Sequence, residues 1–240
     1  PRTAALAPDQ KRAYVANQGD GSLSVIDLSD LKTVATLAVG HQPYGVVAAG
    51  PGVFVSDAAR WEVVRVDPAT LQVTARTPVE PFPTGVAVTG DGKTLLVTHL
   101  FSGRITALDT GTMNVLGVAE TGSDTNLSQY IGLSPDGSRA YLPQTRSNAG
   151  NLALLFDTTV FPVVNVLDLL RGEVVVKERT TLDTADKPVD LPMSVGLSPD
   201  GKTLYVANAG SNDLSVIDLS THRAVKHLTL GAHPRGLALS

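Results

Sequence analysis

The chain has 240 residues, a formal net charge of −4, five histidines and no cysteine. The absence of cysteine excludes disulfides, thiolate metal sites and covalent haem attachment within these residues, and the mild acidity excludes a bulk surface for nucleic acid or other polyanions. No apolar run approaches the roughly 18 residues of a membrane-spanning helix, so no membrane span is expected. The sequence opens at Pro1 without Met and without a signal sequence, which reads as a processed product.

In chain order, the same pattern of four short apolar or β-branched runs returns again and again. The first copy, from residue 3 to 44, contains Tyr14-Val15-Ala16-Asn17 and Ser24-Val25-Ile26-Asp27. The second, 45–84, carries the runs Val53 to Asp57 and Val63 to Leu71, with its first turn shortened to Gly50-Pro51-Gly52. The third, 85–129, holds Thr89 to His99 and Arg104 to Met113; the fourth, 130–193, holds Ser134 to Gln144 and Asn165 to Leu170. The fifth, 194–235, answers the first nearly residue for residue, with Tyr205-Val206-Ala207-Asn208 and Ser215-Val216-Ile217-Asp218. Turn chemistry separates its runs: Pro199-Asp200-Gly201, then Gly210 to Asp213, then Asp218 to Thr221. Each copy therefore predicts four antiparallel strands joined by tight turns.

One such sheet cannot bury both of its faces, so each copy needs the next. A repeat near 42 residues with four strands per unit is a propeller signature. The expected fold is all-β: a single β-propeller domain over residues 1–240, with five four-stranded antiparallel blades. Residues 236–240 repeat the start of the first copy and predict the first strand of a sixth blade. A ring closed at five would have no use for that strand. The reading is therefore an open arc from a larger ring, able to associate through its exposed apolar blade faces.

Tyr14 to Asn17, Tyr205 to Asn208, Val216 to Leu219, Ser198 to Lys202 and the Gly40-His41-Gln42-Pro43-Tyr44-Gly45 turn, at this spacing, resemble the YVTN-type β-propeller repeat. The resemblance covers essentially the whole chain and is strongest in the first and fifth copies. It implies a ring of seven blades and a periplasmic or extracellular setting in a prokaryote. It also implies a non-catalytic binding or scaffold module that presents a loop face to a partner protein, an adjoining domain or a small ligand. No cofactor is expected in this chain. An alternative from the same resemblance is the propeller part of a periplasmic redox enzyme, with haem in a fused or partner domain of c-type cytochrome or peroxidase-like character. A lactonase-like hydrolase, using channel histidines and carboxylates with a metal, is a further alternative.

The fourth copy is longer than its siblings. Its extra residues include the apolar stretches Asn151 to Phe156 and Val160 to Val164, which predict a lengthened hairpin or apolar flap. A second, polar extension from Thr184 to Pro192 holds Asp186, Lys187 and Asp190. Both read as decoration of one blade.

Asp27, Asp67, Asp109, Asp168 and Asp218 recur once per copy. They belong to separate blades, and Asp27, Asp67, Asp109 and Asp218 open the turns between third and fourth strands, so they are expected to fix turns rather than share a site. No catalytic residue and no metal ligand set is assigned. His222 and His227 are five apart on one expected strand, hence on opposite faces. His41 and His233 sit in equivalent turns leading into an innermost strand. His99 ends a second strand, at the position held by Asn17, Asp57, Gln144 and Asn208. With the usual strand order these loops share one face. The candidate ligand or partner surface is thus a funnel mouth formed by His41, Asp57, Arg60, Trp61, His99, Arg104, Arg146 and His233.

Overall fold

The computed structural model describes residues 1–50, 52–147, 160–171 and 173–239. The architecture is all-β, built from consecutive antiparallel sheets, one for each sequence copy. The first sheet holds β1 (Thr3–Leu6), β2 (Arg12–Asn17), β3 (Ser22–Asp27) and β4 (Lys32–Ala38), paired in that order. The second holds β5 (Pro43–Ala49), β6 (Gly52–Asp57), β7 (Glu62–Val66) and β8 (Val73–Pro78). The third holds β9 (Pro83–Val88), β10 (Thr94–His99), β11 (Arg104–Asp109) and β12 (Val115–Glu120).

The fourth sheet keeps four strand positions but splits both edges. Its inner position is β13 (Thr125–Asn126) and β14 (Gly132–Leu133), both paired with β15 (Arg139–Ser147). Its outer position is β17 (Glu173–Val174) and β18 (Thr180–Thr181), both paired with β16 (Val160–Asp168). The central hairpin is lengthened as expected: β15 and β16 pair over nine residues each, from Arg139↔Asp168 to Ser147↔Val160. The expected apolar stretch Asn151 to Phe156 lies outside the described residues. The fifth sheet is β19 (Pro192–Leu197), β20 (Thr203–Asn208), β21 (Asp213–Asp218) and β22 (Arg223–Thr229).

These are the four-stranded blades of a β-propeller. The chain divides into two compact units, residues 1–100 with 105–118, and 101–104 with 119–240. In the first unit, β1 neighbours β5 and β5 neighbours β9, so innermost strands follow one another. The alternation of β6 shows how a middle blade is packed. Val53 and Val55 join Tyr14, Leu23 and Val25 of the first sheet, while Phe54 joins Leu95, Val97 and Leu108 of the third. Successive side chains leave opposite faces of a strand, so β6 is buried throughout. In the second unit, Tyr141, Val164 and Val166 pack against Val195, Leu204, Val206 and Ile217 of the fifth sheet.

Two expectations change. The described residues of the expected sixth blade, 236–239, form no strand. Leu237 and Leu239 nevertheless lie against Gly196 of β19, as Val195 lies against Gly132 one blade earlier. The segment thus occupies an innermost-strand position without a partner to complete a ladder. His222 is not on the strand with His227 either; it precedes β22 and holds the left-handed turn position, φ 53°.

Candidate functional site

The turns between third and fourth strands repeat one device. Asp27 accepts the Ser29 N–H at 2.8 Å and its hydroxyl at 2.6 Å; Asp218 does the same with Ser220 at 2.8 and 2.6 Å. Asp67 accepts from the N–H groups of Ala69 and Thr70 at 2.7 and 2.8 Å, and Asp109 from those of Gly111 and Thr112 at 3.1 and 2.7 Å. Bonds to the ionised form hold all four carboxyls below the usual carboxylate range.

On the opposite loops, the first unit holds His41, Asp57, Arg60, Trp61 and His99. Asp57 is 1% exposed and is a clamp. Its Oδ2 accepts the His41 N–H at 2.7 Å, and its Oδ1 accepts those of Gln42, Ala59 and Arg60 at 3.0, 3.0 and 3.2 Å. One buried carboxylate therefore ties the loop entering β5 to the loop leaving β6. Above it, Arg60 Nη2 lies 2.9 Å from His41 Nε2.

Trp61 follows directly and is 45% exposed. Its N–H donates to Asp57 O at 3.0 Å and its carbonyl accepts the Val79 N–H at 2.8 Å. Its backbone is left-handed, φ 56°, at a place that Gly21 fills in the first blade and Asn212 in the fifth. A bulky side chain is uncommon there. Its ring meets Phe82, 37% exposed and also left-handed, with centroids 5.8 Å apart and planes tilted by 53°.

His99 departs from the expected funnel surface: it is fully buried. Its Nε2 lies 2.8 Å from Thr106 Oγ1 and its Nδ1 3.2 Å from Pro81 O. A carbonyl only accepts, so Nδ1 donates to Pro81 O, while Nε2 faces the threonine hydroxyl. The equivalent residues are fixed in the same way. Asn17 donates to Ser24 Oγ at 2.8 Å, Asn208 to Ser215 Oγ at 2.8 Å, and Gln144 accepts from Asn165 at 2.6 Å. This position is a polar plug between second and third strands. Asp57 differs because the residue seven places on is Val64, which offers no polar partner, so its carboxylate turns to the loop N–H groups.

The second unit holds Arg104, Arg146 and His233. Arg104 is exposed. Arg146 Nε donates to Asp124 Oδ2 at 2.7 Å. His233 is exposed and left-handed, its N–H donating to Asn212 Oδ1 at 2.7 Å and its Nδ1 lying 3.2 Å from Ala209 O. His227, assigned no role in sequence beyond facing away from His222, is buried. Its Nδ1 meets Asp186 and its Nε2 lies 2.9 Å from Leu182 O. The signal was the acidic extension 184–192, which supplies Asp186. Lys187 of the same extension reaches the buried Asp213 at 3.0 Å.

Among the described residues, no three histidine or carboxylate side chains are grouped as a metal would need, and no helix is long and apolar enough to cross a membrane. The sequence matches no protein-family model and no curated protein. By structure, 1392 solved chains match, so the fold alone selects no function. One, from Kuenenia stuttgartiensis hydrazine synthase, superposes with a TM-score of 0.62 at 18% identity, covering 96% of this chain and 87% of that one. Together with the sheet topology, that likeness shows a β-propeller fold.

Proposed function

We propose that the chain is a non-catalytic β-propeller module of the YVTN-type repeat class, working outside the cytoplasm. Its loop surface around Trp61 binds a partner protein. The observation that carries this reading is the Trp61–Phe82 pair. Two large aromatic side chains stand partly in solvent on left-handed backbone, where siblings of Trp61 use Gly or Asn. Such positions cost on the order of 1 kcal/mol and persist at functional sites when the surroundings enforce them. Asp57 is that enforcement, since it fixes the backbone on both sides of the loop. Rigid aromatics beside an arginine are the side chains that dominate binding energy at protein interfaces.

Trp61 is the one tryptophan in the chain, so 5-fluorotryptophan labelling gives a single 19F resonance at the surface in question. The purified chain captures its partner from an extract of the source cells, and the partner is then titrated back. The expected result is a shifted or broadened resonance, with affinity falling at least about tenfold in Phe82→Ala and Arg60→Ala. A captured partner that leaves the resonance and both variants unaffected overturns the reading.

A further inference from the structure

On the turn side of the first unit, the first two sheets enclose a cleft of about 320 Å³. The second unit contains its structural sibling, about 340 Å³, between the fourth and fifth sheets. The two are built from the same repeat positions. Arg12, Tyr14 and Asp9 in one correspond to Arg139, Tyr141 and Asp136 in the other, and the arginines oppose Asp27 and Asp168 in register. Comparing them shows what the first cleft lacks.

In the sibling, all three guanidinium nitrogens are bonded to carboxylates. Arg139 Nη1 donates to Asp168 at 2.8 Å, and its Nε and Nη2 donate to the two oxygens of Glu178 at 3.2 and 3.3 Å. Asp200 contributes a further negative charge to the wall. In the first cleft no residue stands for Glu178, because β4 runs unbroken where the outer edge of the fourth sheet is interrupted between β17 and β18. No residue stands for Asp200 either, because the turn between β5 and β6 is shortened. Arg12 Nη1 instead reaches the Pro68 carbonyl at 2.9 Å. The facing wall is apolar: Ala48, Ala49, Val53 and Pro68. The remaining charges are Asp9, which accepts the Lys11 N–H at 3.0 Å, and Asp27, whose Oδ1 is taken by Ser29.

We propose that this cleft is a binding site for a small monocarboxylate with an apolar body, its carboxylate completing Arg12 as Glu178 completes Arg139. The guanidinium fork matches a carboxylate, and the apolar wall covers the rest of the molecule. Asp9 lines the same cleft and Asp27 pairs with Arg12 in register, so a second negative charge, as on a phosphate ester or dicarboxylate, would be repelled. The site is distant in kind from the Trp61 surface and stands independently of it.

The probe is 4-fluorobenzoate, followed by 19F line broadening on titration with the folded chain, against the uncharged 4-fluorobenzamide. Expected are saturable broadening by the benzoate and binding at least about tenfold weaker for the amide. Arg12→Gln, and Ala49→Trp, which fills the apolar side, each weaken the benzoate by a similar factor; Trp61→Ala leaves it unchanged. Absence of saturable broadening up to about 10 mM, or equal binding by wild type and a folded Arg12→Gln, overturns the proposal. Should Arg12→Gln fail to fold, Ala49→Trp decides: undiminished binding in that variant overturns the site.

Discussion

The repeated carboxylates act one turn at a time, and their titration should show it. Asp136 accepts the Ser134 hydroxyl at 2.5 Å and the Ser138 N–H and hydroxyl at 3.0 and 2.9 Å. These bonds to the ionised form lower its pKa from 3.8 to about 2. A depressed carboxyl pKa stabilises the fold at pH values above the unfolded value. The contribution is therefore complete above about pH 4 and disappears as pH falls through about 2. Asp136→Asn should flatten the acid limb of the stability curve between those limits. An acid limb identical to wild type would remove Asp136 from the account. The turn carries its own glycine requirement: Gly92, Gly137 and Gly201 are left-handed at φ 74°, 70° and 67°, whereas the first blade places Gln10 there at φ 56°.

At the scale of elements, period-two alternation and turn residues made the strands legible in the sequence. The lengthened β15–β16 hairpin followed from residue spacing alone. The split inner edge of the fourth sheet did not. Leu127 turns left-handed between β13 and β14, and Ser128 bonds Gln144, a local break with no Gly or Pro to announce it. Burial of His99 was hidden for a different reason. Its partner Thr106 lies seven residues on, across a hairpin, and only the Asn17–Ser24 and Asn208–Ser215 pairs reveal that spacing as a rule. The polar extension was legible as an insertion but not as a latch. His227 of β22 presents both ring nitrogens to acceptors, Asp186 and the Leu182 carbonyl. Glutamine can donate to only one of them and sets an oxygen against the other. His227→Gln should cost about 1–3 kcal/mol, and hydrogen exchange should rise in residues 182–190 before the rest of the fifth sheet opens. Unchanged exchange in that segment would show that the latch lies elsewhere.

At the scale of the whole molecule, glycines in innermost strands mark close approaches between neighbouring blades. A Cβ on Gly45 would stand 2.3 Å from the Thr84 carbonyl oxygen of the next blade. On Gly196 it would stand 2.8 Å from Leu237 Cδ2. The two glycines hold different repeat positions, since Pro43 pairs with Asp57 as Pro192 pairs with Asn208 and Gly45 thus answers Ser194, and their physical neighbours differ as well. Thr84 O is backbone, and it is held in place by the buried Ser56 hydroxyl, which donates to it at 2.5 Å and accepts the Gly45 N–H at 2.9 Å. Neither atom can yield without separating the second and third blades. Leu237 Cδ2 is the far end of a rotatable side chain in a segment with no strand partner, and it can move aside. Overpacking of a fixed interface costs about 1–3 kcal/mol, and Gly45→Ala should reach or exceed the top of that range. Gly196→Ala should fall within about 1 kcal/mol of wild type, because the smaller entropy of the unfolded chain offsets the shift of one methyl group. Denaturant melts of the two variants test the difference directly. Equal losses would mean that residues 236–239 grip β19 as firmly as the third blade grips the second, and that an incomplete ladder is enough to complete a blade-to-blade contact.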